Sequence, residues 1–309
     1  VYLWLRDGPG REAVGPLPPG VEVHLVPREG QLPPEFYEAE FLVPPYGSRR
    51  VLAALPRMRE LRVIQANSSG VEWLLPHASA GVTVCNARGT RDVAVAEWVV
   101  AAILAMTKDL AHWHRQQEEC AWTPRLLDEL AGSRVLIVGY GSIGHAVEAR
   151  LTPFDVTVDR IASRARHGVQ GVDQLGDRLP LADIVVLLLP SSSATDGLFD
   201  EAMLGRMKAG ALLVNAGRGT VIDTAALVTA VSDGRIRAAL DVTDPEPLPD
   251  GHPLWRLPGV LLTPHLAGDS HESERRVYRL IGEQVRRYMA GEPLVNVVRR
   301  GPSSDRAER

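Results

Sequence analysis

The run Val135-Leu136-Ile137-Val138 breaks at once into Gly139-Tyr140-Gly141-Ser142-Ile143-Gly144, and residues 145 to 151 resume with a helical rhythm. No other stretch narrows the fold as far. A short apolar strand, glycines spaced G-x-G-x-x-G and then a helix is the arrangement that binds dinucleotides. Gly139 permits the tight turn, Gly141 lets the backbone close on a pyrophosphate, and Gly144 lets the helix pack against the strand. The helix start then offers unpaired N–H groups and the positive end of its dipole to the phosphates.

The pattern around this motif extends the argument to the whole chain. At 309 residues the chain is too long for one ordinary core, so two domains are expected. Residues 1 to 92 alternate strands at 1–5, 21–25, 41–43, 62–65 and 82–85 with helical segments that include 51–55 and 73–75. After Gly132 a second series reads as strands at 135–138, 156–161, 184–189, 212–215, 238–241 and 260–262, the six expected of two mononucleotide-binding halves. Residues 93 to 106 are apolar nearly all round and predict a buried helix suited to a position between domains. A last long helix over roughly 271–290 should end at Gly291, with Pro293 preventing any continuation. The expected class is α/β, with two Rossmann-like, doubly wound parallel sheets and a cleft between them.

Composition excludes several other readings. A content of 45% hydrophobic and 23% charged residues is that of a soluble globular protein. The net charge of -4 gives no electrostatic reason to expect a nucleic acid or an anionic membrane as partner. No run approaches the roughly 18 apolar residues needed to span a bilayer, and the apolar residues 1–5 lack the basic leader of a signal peptide. Two cysteines, Cys85 and Cys120, cannot make a disulfide framework and fit a reducing cytoplasm. His112 and His114 are two apart on a predicted helix and so do not share a face. No cluster has metal-ligand spacing, so no metal is expected. The polar tail 301–309 should be frayed.

Ligands of open α/β sheets lie outside the carboxyl ends of the strands, so the residues after each late strand are the ones to inspect. Strand 212–215 is followed by Ala216-Gly217-Arg218-Gly219-Thr220, strand 238–241 ends on Asp241 and leads to Glu246, and strand 260–262 leads to Thr263-Pro264-His265. Singly, these read as a surface ion pair, a solvated acid and a helix cap. Together, an arginine, a carboxylate and a histidine at the working end of a nucleotide sheet form a set suited to reducing a 2-keto acid. The nicotinamide would give the hydride. His265 as imidazolium would give the proton, with Glu246 favouring the charged ring, and Arg218 would hold the carboxylate and stabilise developing negative charge.

The glycine motif, Asn215-Ala216-Gly217-Arg218-Gly219-Thr220-Val221-Ile222-Asp223, Asp241-Val242, Glu246-Pro247 and Thr263-Pro264-His265 together resemble the D-isomer-specific 2-hydroxyacid dehydrogenases, which include glyoxylate/hydroxypyruvate reductases and phosphoglycerate dehydrogenases. The resemblance runs over nearly the whole chain in order and spacing. It implies Arg218, Glu246 and His265 as the catalytic set, Asp241 near the nicotinamide amide, and Ser142 and Ile143 at the pyrophosphate. Cofactor contacts are also expected at Ala216, Gly217 and Gly268. Asn67-Ser68-Ser69-Gly70-Val71 looks like the family's carboxylate-binding loop, which would use backbone N–H groups of Ser69, Gly70 and Val71; taken alone it reads as a strand-to-helix turn with a serine cap. Val95-Ala96-Glu97 matches the start of an interdomain helix that helps form the family's homodimer. The family's fold would give a substrate domain of residues 1–92 completed by 275–309, and a dinucleotide domain of 93–274.

Two departures refine this expectation. NAD-specific members end the second nucleotide strand with an aspartate for the ribose hydroxyls. Eighteen positions beyond Gly144 this chain has Ala162, followed by Ser163-Arg164-Ala165-Arg166, with Asp159 three residues earlier as the alternative if the register is shifted. Serine and arginine in place of an acid favour NADP over NAD. Phosphoglycerate dehydrogenases carry arginines after the third strand, whereas this chain reads Pro44-Pro45-Tyr46-Gly47-Ser48. A small unphosphorylated keto acid, such as glyoxylate or hydroxypyruvate, is therefore the expected substrate. The alternatives are a phosphoglycerate dehydrogenase-like activity, or a nucleotide-sensing interaction protein that keeps the fold without the catalysis.

Overall fold

The computed structural model describes residues 1–301; the tail residues 302–309 lie outside the described residues. The strands in chain order are β1 (Tyr2–Arg6), β2 (Glu22–Val26), β3 (Phe41–Val43), β4 (Val63–Gln65), β5 (Thr83–Cys85), β6 (Arg134–Val138), β7 (Thr157–Ala162), β8 (Gln170–Gly171), β9 (Ile184–Leu187), β10 (Leu212–Asn215), β11 (Arg237–Leu240), β12 (Val260–Leu262) and β13 (Val297–Arg299). The α-helices are α1 (Arg49–Ala54), α2 (Asp92–Thr107), α3 (Leu110–Glu118), α4 (Ser142–Leu151), α5 (Leu175–Arg178), α6 (Glu201–Arg206), α7 (Thr224–Ser232) and α8 (His271–Ala290). The chain divides into two compact units: residues 1–91 with 269–309, and residues 92–268.

In the first unit the strand order is β13-β5-β4-β3-β1-β2, parallel throughout except for β13, which runs antiparallel to β5. Without β13 the order is 2-1-3-4-5, a doubly wound sheet whose order reverses between β1 and β3. Alternation along the strands supplies both faces. Leu3, Leu5, Phe41 and Val43 pack against Val277, Tyr278, Ile281 and Val285 of α8. Trp4, Leu42, Ile64 and Val84 point into the opposite core with Phe36, Val51 and Leu55. A buried amide ties α8 to the sheet: Gln284 Nε2 donates to Gln65 Oε1 and to the Val295 carbonyl, both at 2.8 Å.

The second unit holds seven parallel strands in the order β12-β11-β10-β9-β6-β7-β8. Numbered from β6 this is 7-6-5-4-1-2-3, the Rossmann order with one strand added, and the reversal lies between β6 and β9. Helices α2 and α4 cover one face through Val95, Val99, Ile103, Val147 and Leu151, packed on Val135, Ile137, Val186 and Val214.

Several expectations need correction. Residues 73–75 form a turn, not a helix, because the Val71 carbonyl collects the Leu74 and Leu75 N–H groups and the ladder stops there. Strand β8 is only two residues long and β13 pairs antiparallel at the sheet edge, so neither has an apolar run to reveal it. The apolar helix α2 is buried along one side only; Ala101 is exposed, and Val100 and Leu104 are half-buried. The chain re-enters the first unit at Asp269, ahead of position 275, since a capping box at Ser270 starts α8 at His271. Gly291, at φ 69°, ends that helix.

Candidate active site

At the glycine turn, Gly139 has φ 98°, and a Cβ there would fall 2.7 Å from the Leu188 carbonyl carbon and oxygen. Both facts require glycine. Gly141 is different: its backbone is extended and an added Cβ would meet nothing in the protein. The protein itself therefore does not demand a glycine there, and the space is what a closely approaching pyrophosphate would use. The start of α4, at Ser142 and Ile143, has no side-chain cap, whereas Asp200, Asp223 and Ser270 cap α6, α7 and α8. An uncapped helix start beside an open glycine fits a dinucleotide.

The end of β7 bears on the cofactor's ribose. The strand finishes at Ala162, and Ser163 and Arg164 follow as exposed residues. Arg166 Nη2 donates to the Tyr140 carbonyl at 2.5 Å, with its guanidinium 5.9 Å from the Tyr140 ring centroid. Asp159 lies mid-strand beside Leu136 and is paired with Arg134 at 3.2 Å. It sits short of the carboxyl end of the sheet and already has a cation.

A cluster that motif reading passed over braces this corner. Glu148 on α4 accepts from Arg160 Nε at 2.7 Å, from a second Arg160 nitrogen and from the Tyr140 hydroxyl. The Arg160 hydrogen bond holds the Glu148 carboxyl below its usual range, and burial, reinforced by Glu148, raises the Tyr140 phenol. The signal was in β7 itself. Asp159-Arg160 places two charges in the middle of a sheet strand, where each requires a partner.

Three adjacent strands carry the other candidates. After β10, Asn215 braces the following loop from both sides: its Oδ1 accepts from the Gly217 N–H and its Nδ2 donates to the Arg218 carbonyl, each at 3.0 Å. Ala216 N–H donates to the Leu187 carbonyl, and Arg218 Nη1 to the Gly217 carbonyl at 2.8 Å. After β11, the buried Asp241 organises the His265 loop. Its Oδ1 accepts from Thr263 Oγ1 (2.6 Å) and Leu266 N–H (2.9 Å), and its Oδ2 from Ala267 N–H (2.9 Å). A carboxylate offers about four acceptor positions, so these bonds leave Asp241 little capacity for a ligand. After β12, His265 adopts φ 52°, and its Nδ1 lies 2.5 Å from Glu246 Oε1. Both side chains are about two-fifths exposed. With Nδ1 committed to the carboxylate, Nε2 is the nitrogen left for chemistry. Gly268 closes the second unit.

In the first unit, the loop after β4 directs its carbonyls and N–H groups differently. The carbonyl of Ser68 accepts from Ala87 N–H (2.9 Å), that of Ser69 from Asn86 Nδ2 (2.8 Å), and that of Gly70 from Ser68 Oγ (2.6 Å). Among the described residues the N–H groups of Ser69, Gly70 and Val71 have no acceptor. Successive backbone donors of this kind are what anion-binding nests are built from.

These features define a class: an NAD(P)-binding oxidoreductase built on parallel α/β sheets. The family model for "D-isomer specific 2-hydroxyacid dehydrogenase, NAD binding domain" matches residues 100–267. A glyoxylate reductase of Thermofilum pendens is 36% identical over 247 residues, covering 75% of this chain and 73% of that protein. A D-3-phosphoglycerate dehydrogenase of Mycobacterium tuberculosis is 34% identical over 261 residues, covering 81% of this chain but 49% of that protein, so the chain spans about half its length. A D-isomer specific 2-hydroxyacid dehydrogenase from Xanthobacter autotrophicus Py2, solved in complex with NADPH and MES, is 29% identical with a TM-score of 0.79 over 96% of this chain and 97% of that one. The chain belongs to the D-isomer specific 2-hydroxyacid dehydrogenase family.

Proposed function

We propose that this chain reduces a small, unphosphorylated 2-keto acid of the glyoxylate or hydroxypyruvate kind to the D-2-hydroxy acid, with NADPH preferred over NADH. The observation that carries the reading is the 2.5 Å contact between His265 Nδ1 and Glu246 Oε1 at the carboxyl end of the nucleotide sheet. When bound, the nicotinamide supplies the hydride. Glu246 orients the His265 ring and supports its positive charge, and Nε2 gives the proton to the keto oxygen. Arg218 binds the substrate carboxylate and offsets charge growing on the carbonyl oxygen. Within the first unit, the N–H groups of Ser69, Gly70 and Val71 are the donors this reading assigns to a substrate carboxylate. Arg50 is tied to the carbonyls of Pro27 and Gly30 and so is not the cation of a phosphate site in the loop after β3.

NADPH oxidation measured across a panel of 2-keto acids tests the reading. Turnover of glyoxylate or hydroxypyruvate is expected; binding of NADPH with no turnover of any keto acid would instead support the nucleotide-sensing alternative. Glu246→Gln should lower kcat by leaving the His265 ring without the carboxylate that holds its Nδ1. An unchanged kcat would remove Glu246 from the mechanism.

A homodimer is part of the same proposal. Trp122 is 94% and Leu126 100% exposed in the segment after α3, and α2 leaves apolar side chains half-covered. Large exposed apolar side chains are the kind that an interface covers. Light scattering at micromolar concentration should give twice the mass of the chain, and a strict monomer would count against it. Both cysteines are free, with burial pushing the Cys85 thiol up to about 11, a state that suits a reducing, cytoplasmic setting.

A further inference from the structure

Arg218 lies between two anchors of different kinds. Asn215 brackets the entry to its turn through the Gly217 N–H and the Arg218 carbonyl. Beyond it the chain passes to Thr220 through Gly219, where a Cβ would fall 2.0 Å from the Thr243 carbonyl oxygen. Thr220 Oγ1 donates to Asp196 Oδ1 at 2.7 Å, and the Thr220 carbonyl accepts from Gly197 N–H at 2.7 Å. Asp196 belongs to the loop after β9, and from that loop Ser191 Oγ donates to the same Oδ1 at 2.8 Å. The Thr220 and Ser191 hydroxyls hold the Asp196 carboxyl below its usual range. An exposed acid ordinarily needs no explanation. This one joins two loops at the carboxyl end of the sheet, one of which carries Arg218.

We infer that Asp196 is a positioning residue for Arg218: by joining Thr220 to the loop after β9 it fixes the exit of the arginine turn, and with it the reach of the guanidinium toward the substrate carboxylate. The inference rests on Arg218 binding that carboxylate. Arg218 is extended, at φ -134° and ψ 142°, and only Gly219 separates it from Thr220. Movement at Thr220 therefore passes to Arg218 through one residue that has no side chain. A guanidinium meets a carboxylate through paired N–H groups whose alignment is exacting, and a small displacement of such a group loses much of its effect. Cofactor binding should be largely insulated from Asp196. The first residues of the loop after β9 are held by glycines, since a Cβ at Gly139 would fall 2.7 Å from the Leu188 carbonyl and one at Gly217 2.6 Å from the Leu189 carbonyl oxygen. Neither contact involves Asp196.

The test is calorimetric titration of the NADPH-saturated protein with oxamate, whose carboxylate adjoins a carbonyl but which has no ketone to reduce. NADPH binding, measured first, certifies the fold of each variant. Asp196→Ala should weaken oxamate binding at least about fivefold, the loss of a charge-assisted hydrogen bond, while NADPH affinity stays within about twofold of the wild type. Thr220→Val should do the same, and the double variant should be little worse than either single one, because both remove one contact. Asp196→Asn, whose Oδ1 still accepts, and Thr220→Ser, which keeps the hydroxyl, should retain most of the affinity. An equal loss in Asp196→Asn would make the effect one of charge alone and overturn the positioning role. Additive losses in the double variant, or a loss of NADPH affinity as large as that of oxamate, would overturn it too. Arg218→Ala separates the two levels of the argument. If it abolishes oxamate binding and Asp196→Ala does not weaken it, only the positioning role falls; if it leaves oxamate binding unchanged, Arg218 does not bind the carboxylate and the positioning role falls with that reading.

Discussion

His265→Ala should lower kcat for keto-acid reduction by about a hundredfold to ten-thousandfold, the span expected for losing a general acid. The affinity for NADPH should stay within about twofold of the wild type, because the ring sits with Glu246, away from the glycine turn and the end of β7 that would hold the dinucleotide. The fold should also survive. Asp241 holds the loop through Thr263 Oγ1 and the N–H groups of Leu266 and Ala267, none of which uses the imidazole. Single-turnover kinetics with bound NADPH would separate the chemical step from product release. Hydride transfer at near wild-type rate would remove His265 from the chemistry, whatever the steady-state rate.

The second large effect concerns cofactor choice. Ser163 and Arg164 are exposed just past the end of β7, where an acid would have repelled a 2′-phosphate. A charge-assisted contact from arginine to phosphate is worth about 1.5–3 kcal/mol. That corresponds to roughly a ten- to hundredfold preference for NADPH in kcat/KM. Arg164→Ala should abolish most of the preference by raising the KM for NADPH while leaving that for NADH almost unchanged. Arg166 should matter less, since one of its nitrogens is already bonded to the Tyr140 carbonyl. A wild type that favours NADH severalfold would refute the assignment, and the ribose ligand would then have to be sought elsewhere than at Asp159, whose carboxylate is spent on Arg134.

What could be read from the chain, and what could not, divides along physical lines. The buried parallel strands announce themselves as short apolar runs, and the glycine turn between β6 and α4 as a spacing, because both follow from local sterics and burial. The helix over roughly 271–290 was legible from its terminal glycine, Gly291, and the following Pro293, whereas its Ser270 capping box was not. Other features depend on partners distant in sequence. Strand β13 exists only because β5 offers an edge. The two-residue β8 has too little sequence to carry a period. At the site, Arg218, Glu246 and His265 stood out because each follows a late strand. The side chains that hold their loops did not. Asn215 lay within a quoted motif but showed its bracing role only once the Gly217 and Arg218 loop was in place. Asp241, expected to serve the nicotinamide, turned out to be largely occupied by three donors of the His265 loop, a pairing that no local pattern announces.

The division of the chain also bears on the order in which it folds. The second unit is one continuous stretch, while the first is assembled from both sides of it. Arg91 ends one segment of the first unit and hydrogen-bonds Asp269 at the start of the other, across 178 residues of sequence. Bringing such distant points together in an open chain costs about 4–5 kcal/mol of loop-closure entropy. If residues 92–268 have already folded, their ends are held where Arg91 and Asp269 meet, and most of that cost has been met. The first unit then closes its core with α8 as if joined by a short loop. During synthesis the first five strands must wait, with the face that α8 will cover still open, until more than half the chain has followed them out of the ribosome. The nucleotide unit is thus a folding clamp for the unit that surrounds it in sequence, and a lesion that slows its folding would surface as misassembly of the other.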